Sequence, residues 1–107
     1  MDQKKWEAVT ANYSADKEYI GDGYYRLRPT EEGYQMAFLV PGLCGETLIH
    51  PEITVQVIDG IATPIRLMDL EHTPTLRLSV KEGDGEEIER QAEELLNKFM
   101  AAKKLSL

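Results

Sequence analysis

The chain has 107 residues and a formal net charge of −7, from 12 basic and 19 acidic side chains. Hydrophobic residues make up 42% and charged residues 29%, a composition typical of folded proteins and not of disordered chains. Because two domains would each be small for burying a core, we expect one domain over residues 1–107. The acidity disfavours nucleic acid and anionic membranes as partners, since their phosphates repel a negative chain.

The single cysteine, Cys44, cannot form an internal disulfide. No apolar run approaches the ~18 residues that a membrane span requires. The first ten residues, MDQKKWEAVT, also lack the apolar stretch of a signal peptide. We therefore expect a cytoplasmic protein in a reducing compartment, with no membrane segment.

A short helix is predicted near the N-terminus, from about Gln3 to Tyr13. Trp6, Val9 and Tyr13 recur at the spacing of one helix face. The following residues, 14–23, are mostly polar and turn-like, so we expect a loop there.

Strands are predicted between Gly23 and Val80, where apolar and polar residues alternate. No helical pattern separates the strands, so we expect about five strands in a mostly antiparallel sheet. The apolar run Tyr34–Val40 predicts a central strand. Asp59 and Gly60 predict a turn. For the strand after this turn, two sets of residues on one face remain open: Ile65 with Leu67, or Arg66 with Met68 and Leu70.

A C-terminal helix has the clearest pattern in the chain. Its apolar side chains recur on one helix face: Ile88, Ala92, Leu95, Leu96, Phe99 and Met100. Asp84 is expected to cap this helix, with Glu87 reaching back in a capping box. We expect the helix to lie across the sheet face that carries Leu76, Leu78 and Val80. The predicted fold is α+β, in the order α-β-β-β-β-β-α.

Seven acidic residues crowd into the segment Glu82–Glu94, opposed only by Arg90. A helix dipole favours acids in the first turn, so a solvated helix face explains most of this cluster. In the alternative interpretation, Glu86, Glu89 and Glu93 bind a partner and imitate the phosphates of a nucleic acid.

Tyr24, Arg26 and Arg28 share one face of the first predicted strand. Such a face could stack on a base and contact phosphate, although the net charge disfavours this. Charges on an outer strand also prevent sheet-to-sheet aggregation. Because Tyr and Arg are enriched at protein interfaces, we predict that this face binds another protein.

Cys44 lies in a loop with Glu46 and His50, which could act as a base for a cysteine nucleophile. The simpler expectation is that Cys44 fills a loop pocket as a small apolar residue. His50 and His72 are the only imidazoles, too few for a typical transition-metal site, so we expect no metal and no cofactor.

We predict a small acidic protein-interaction module, such as an adaptor, an inhibitor or a chaperone-like protein, in preference to an enzyme. Its expected partner is another protein, and an open sheet would also allow a homodimer. Two alternatives remain open: a cysteine-dependent hydrolase or transferase that uses Cys44, and an acidic mimic that inhibits a nucleic-acid-binding protein.

Overall fold

The computed structural model describes residues 1–107 and consists of one six-stranded sheet and two principal helices. In chain order, the elements are α1 (Gln3–Asn12), β1 (Glu18–Ile20), β2 (Gly23–Pro29), β3 (Gly33–Pro41), β4 (Thr47–Ile58), β5 (Ile61–Asp69), β6 (Leu76–Ser79) and α2 (Gly85–Ala102). Each strand pairs antiparallel with the next, which confirms the predicted α+β class and antiparallel sheet. Neither helix combines the length and the apolar composition needed to cross a bilayer.

The sixth strand is β1, in a segment that the sequence analysis assigned to a loop. It has only three residues, too few to show an alternating pattern, and it pairs with the start of β2. The rings of Tyr19 on β1 and Tyr24 on β2 lie 5.2 Å apart, edge to face. β1 therefore pairs with the first part of the β2 edge, and β2 is not the outer strand that we expected.

Both helices pack on one face of the sheet and share one core with it. The core side chains from the helices are Trp6, Val9, Ile88, Ala92, Leu95, Leu96 and Phe99, and those from the strands are Tyr25, Leu27, Met36, Phe38, Ile53, Val55, Ala62 and Leu67. The predicted apolar stripe of α2 is confirmed, and full burial of a side chain such as Phe99 contributes roughly 1.5–3 kcal/mol. The Tyr13 hydroxyl donates to the Phe99 carbonyl at 2.6 Å, and its burial raises the pKa of Tyr13.

A bulge in β5 decides which of its residues face the core. Thr54 pairs with Arg66 whereas Val55 pairs with Pro64, so Ile65 is an extra residue in the ladder. One extra residue reverses the alternation of faces along the rest of a strand. Consequently Leu67 is in the core, and Arg66 lies on the opposite face.

The last strand is shorter than predicted. Leu76 and Leu78 pack against the core as expected. β6 ends at Ser79, however, and Val80 begins a 3₁₀ turn, Val80–Glu82, in which it is 48% exposed. The expectation that Val80 belongs to the buried sheet face is therefore wrong.

The start of α2 also differs from the predicted capping box. Asp84 occupies the N-cap position, but its carboxylate makes no capping bond to the helix and instead accepts from the Ser79 N–H at 3.1 Å. Glu87 pairs with Arg90 along the helix and does not reach back to Asp84. The side chain of Asp84 therefore stabilises the end of β6 and not the first turn of α2.

Candidate functional site

The sheet face opposite the helices, which we call the open face, carries two rows of side chains. Residues of β2 to β6 pair directly across the sheet, so one residue from each of these five strands contributes to a row. The Glu52 row is Arg26, Ala37, Glu52, Met68 and Arg77, and the Thr54 row is Arg28, Gln35, Thr54, Arg66 and Ser79. Four of the five arginines of the chain therefore stand on the open face.

Glu52 is the most buried acidic side chain of the open face, with 9% of the side chain exposed. Arg26 Nη2 donates to Glu52 Oε2 at 2.8 Å, and Arg28 Nη2 lies 3.7 Å from the same oxygen. Ala37 stands between Arg26 and Glu52 in the row, and its small side chain lets the guanidinium cross β3. Two positive charges therefore face one negative charge at the centre of the open face.

A hollow of about 350 Å³ lies beside Glu52, over β4, β5 and β6. Its polar lining includes Gln35, Glu52, Thr54, Arg66, Arg77 and Ser79, with Glu82 from the 3₁₀ turn. Arg66 pairs with Glu32, and both side chains are about half exposed. Arg77 forms no ion pair, and its one side-chain hydrogen bond is donated from Nη1 to Met68 Sδ at 3.2 Å.

Apolar side chains border the arginines at two ends of the open face. Tyr24 and the exposed Tyr19 stand at the β1 end. Ile58 and Ile61 pair with each other at the tip of the β4–β5 hairpin and are 55% and 57% exposed. Strand alternation from Thr54 and Gln56 places this isoleucine pair on the open face. Aromatic, aliphatic and arginine side chains together are typical of protein interfaces.

The structure places Tyr24, Arg26 and Arg28 together on the open face, as the alternating pattern indicated. Their role in binding stays a prediction. Sequence reasoning missed Arg66 and Arg77, which lie beside them in the same two rows. The face of Arg66 has no local signal, because it depends on the bulge in β5. The face of Arg77 follows from its alternation with Leu76 and Leu78, but only the pairing of β6 with β5 brings Arg77 into the row.

The acidic residues proposed as a second binding site lie on α2. Glu93 accepts from Lys5 Nζ at 2.8 Å, and this hydrogen bond lowers the pKa of Glu93 below its ordinary value of 4.5. Glu89 contacts the amino group of Met1, whereas Glu86 forms no ion pair. Glu93 thus joins α1 to α2, and Glu89 joins the residue at the start of the chain to α2. Binding of a partner by the three acids stays a prediction.

Cys44 is exposed in the loop between β3 and β4, so the expectation that it fills a loop pocket is wrong. The Glu46 carboxylate accepts from the Cys44 backbone N–H at 3.1 Å. His50 Nδ1 lies 2.8 Å from Asp69 Oδ1, where its ring is held by a buried carboxylate. No hydrogen bond joins the thiol to either candidate base, and a catalytic role for Cys44 stays a prediction.

His50 and His72 approach the same carboxylate, a convergence that sequence reasoning did not find. His72 Nε2 lies 3.7 Å from Asp69 Oδ2. Asp69 Oδ1 also accepts from the Glu71 backbone N–H at 3.0 Å, so this carboxylate organises the turn after β5. The cluster therefore has a clear structural role in joining β4 to the end of β5.

The fold and the open face define an α+β protein whose antiparallel sheet is covered by helices on one side and is rich in arginine on the other. The chain matches no family model, no curated protein and no solved structure in the comparisons made with each of them. Its function therefore has to be inferred from its own side chains.

Proposed function

We propose that the chain is a protein-interaction module that binds an acidic segment of a partner protein through the open face. The observation that carries this proposal is the position of four of the five arginines on a sheet face that neither helix covers, in a chain of net charge −7. An adaptor, an inhibitor or a chaperone-like protein would act in this way. We place this role in the cytoplasm, where a free, exposed thiol such as Cys44 stays reduced.

Arginine suits the recognition of carboxylates because its planar guanidinium donates two parallel hydrogen bonds to them. The charge of the open face favours the same partner, because its four arginines outnumber its three acids, Glu32, Glu52 and Glu82. The acids of α2 lie on the other side of the molecule. An acidic partner is therefore attracted to the open face and repelled by the helix side.

A second copy of this chain fits the open face less well. A two-fold dimer would bring two copies of the same arginine-rich surface together, and like charges would oppose each other. The β6 edge is also partly blocked, because Asp84 bonds both the N–H and the C=O of Ser79. These contacts favour a different, acidic protein as the partner over a homodimer.

The test is an NMR titration of the ¹⁵N-labelled protein with a short oligoglutamate peptide, and separately with an oligolysine peptide. We expect oligoglutamate to shift amide resonances of β2 to β6 on the open face, with an affinity that falls as salt is added. Arg28→Gln should weaken this binding. Lys4→Gln is the matched control, because Lys4 is exposed on α1 and forms no ion pair.

The same titration separates the alternatives. Oligolysine binding along α2, without any response to oligoglutamate, would support the acidic mimic and contradict our proposal. Equal effects of Arg28→Gln and Lys4→Gln would also contradict it, because only Arg28 is on the open face.

A further inference from the structure

We infer that the hollow beside Glu52 is a subsite for one carboxylate, supplied by an Asp or Glu side chain of the bound partner. This inference rests on the proposed function and names the group that the open face recognises. The hollow holds about 350 Å³, enough for a carboxylate side chain together with ordered water.

Two guanidinium groups line the hollow with free hydrogen-bond donors. Arg77 has no acidic partner, and a Met68 sulfur at 3.2 Å satisfies at most one of its five N–H donors. Arg66 is bonded through Nη2 to Glu32, which leaves the other N–H groups of its guanidinium available. A carboxylate between these two side chains would receive charge-assisted hydrogen bonds from both.

Neutral donors line the same hollow. Gln35 Oε1 accepts from Arg28 Nε at 3.1 Å, which orients the amide and leaves its NH₂ group free to donate. Ser79 Oγ accepts from the Lys81 N–H at 3.0 Å, so the Ser79 hydroxyl hydrogen is also free. The Thr54 hydroxyl forms no hydrogen bond within the chain. A hollow with this surplus of donors is complementary to an acceptor such as a carboxylate.

The acids of the hollow restrict the charge of its ligand. Glu52 is part of the lining, and it pairs with Arg26 and Arg28 on β2, which do not line the hollow. Glu82 is also part of the lining and forms no ion pair. The open face as a whole therefore has only a small excess of positive charge. A single carboxylate balances that excess, whereas a dianionic phosphate would add an uncompensated negative charge.

The experiment compares the wild-type protein with Arg77→Gln and with Lys81→Gln, each titrated with the oligoglutamate peptide and with inorganic phosphate at equal ionic strength. Lys81 is the matched control because it is an exposed, unpaired cation near Arg77 that does not line the hollow. We expect Arg77→Gln to weaken peptide binding about tenfold, the effect of losing a hydrogen bond to a charged group. Lys81→Gln should change it by about twofold at most.

The peptide should also shift the side-chain amide resonances of Gln35, which reports contact inside the hollow. Peptide binding on the open face that is equally strong in wild type and Arg77→Gln would overturn the subsite and leave the proposed function standing. Saturable binding of phosphate tighter than that of the peptide would overturn the assignment to a carboxylate. Absence of peptide binding anywhere on the open face would instead overturn the proposed function itself.

Discussion

Arg26 on β2 and Glu52 on β4 form an ion pair across the whole width of β3, with 2.8 Å between Nη2 and Oε2. Ala37 is the β3 residue between them, and it is fully buried beneath the pair. A carboxylate as buried as Glu52 requires such a partner, because its desolvation would otherwise be costly. The pair therefore fixes the centre of the surface to which we assign binding.

Glu52→Ala should destabilise the protein by about 3 kcal/mol, because it leaves the largely buried guanidinium of Arg26 without a counter-charge. Glu32→Ala is the control on the same face: Glu32 and Arg66 are both about half exposed, and their pair is worth at most about 1 kcal/mol. Urea unfolding of the two variants measures the difference. Equal losses of stability would show that the Arg26–Glu52 pair is no more important than a surface pair.

The contact between Lys5 and Glu93 should make stability depend on pH in the acid range. The hydrogen bond from Lys5 lowers the pKa of Glu93 below 4.5, so the folded state favours the ionised carboxylate more than the unfolded chain does. The resulting stability is present above the unfolded pKa of about 4.5 and is lost as pH falls through the folded value. The same bond raises the pKa of Lys5 above 10.5, so the lysine side of the pair stays charged at neutral pH.

The measurement is urea unfolding of wild type and Glu93→Gln from neutral pH into the acid range. The variant should be less stable at neutral pH, and the difference should shrink as pH falls below 4.5. Glu31→Gln should show no such convergence, since Glu31 is exposed in the turn between β2 and β3 and has no ion pair to lose. If the difference in free energy of unfolding between wild type and Glu93→Gln is constant with pH, the pH dependence does not come from the Lys5–Glu93 contact.

Asp84→Ala should weaken the junction between β6 and α2. The variant removes the acceptor of the Ser79 N–H while keeping the backbone bond from the Asp84 N–H to the Ser79 carbonyl. We expect a loss of about 1 kcal/mol in urea unfolding and increased self-association, because part of the strand edge becomes free. Glu82→Ala, two residues away, makes neither contact and should change neither stability nor light scattering.

Cys44 should react with a thiol-alkylating reagent in the folded protein, because its side chain is exposed. We expect His50→Ala to leave the rate and its pH profile unchanged, because the His50 ring bonds Asp69 and not the thiol. The control is wild-type protein unfolded in urea, which reports the rate of an unhindered thiol. A large drop in rate with His50→Ala would instead favour the cysteine-dependent enzyme over the interaction module.

Local patterns were enough to predict much of the fold. The apolar stripe of α2, from Ile88 to Phe99, is a property of the helix itself and is confirmed by its burial. Asp59 and Gly60 were expected at a turn and have positive φ angles of 53° and 80°, the backbone of a tight hairpin. The shared face of Tyr24, Arg26 and Arg28 follows directly from strand alternation within β2.

Pairing between strands and contacts between elements decided the features that local patterns did not predict, including most of the candidate site. β1 is defined by its pairing with β2, and the Asp84 carboxylate bonds the Ser79 N–H at the end of β6, a contact that the sequence pattern does not show. The sequence by itself determined that one strand carries two arginines on one face. Only the tertiary structure placed Arg66 and Arg77 beside them: a bulge of one residue in β5, which depends on the register with β4, turns Arg66 to this face, and the pairing of β6 with β5 brings Arg77 next to Met68.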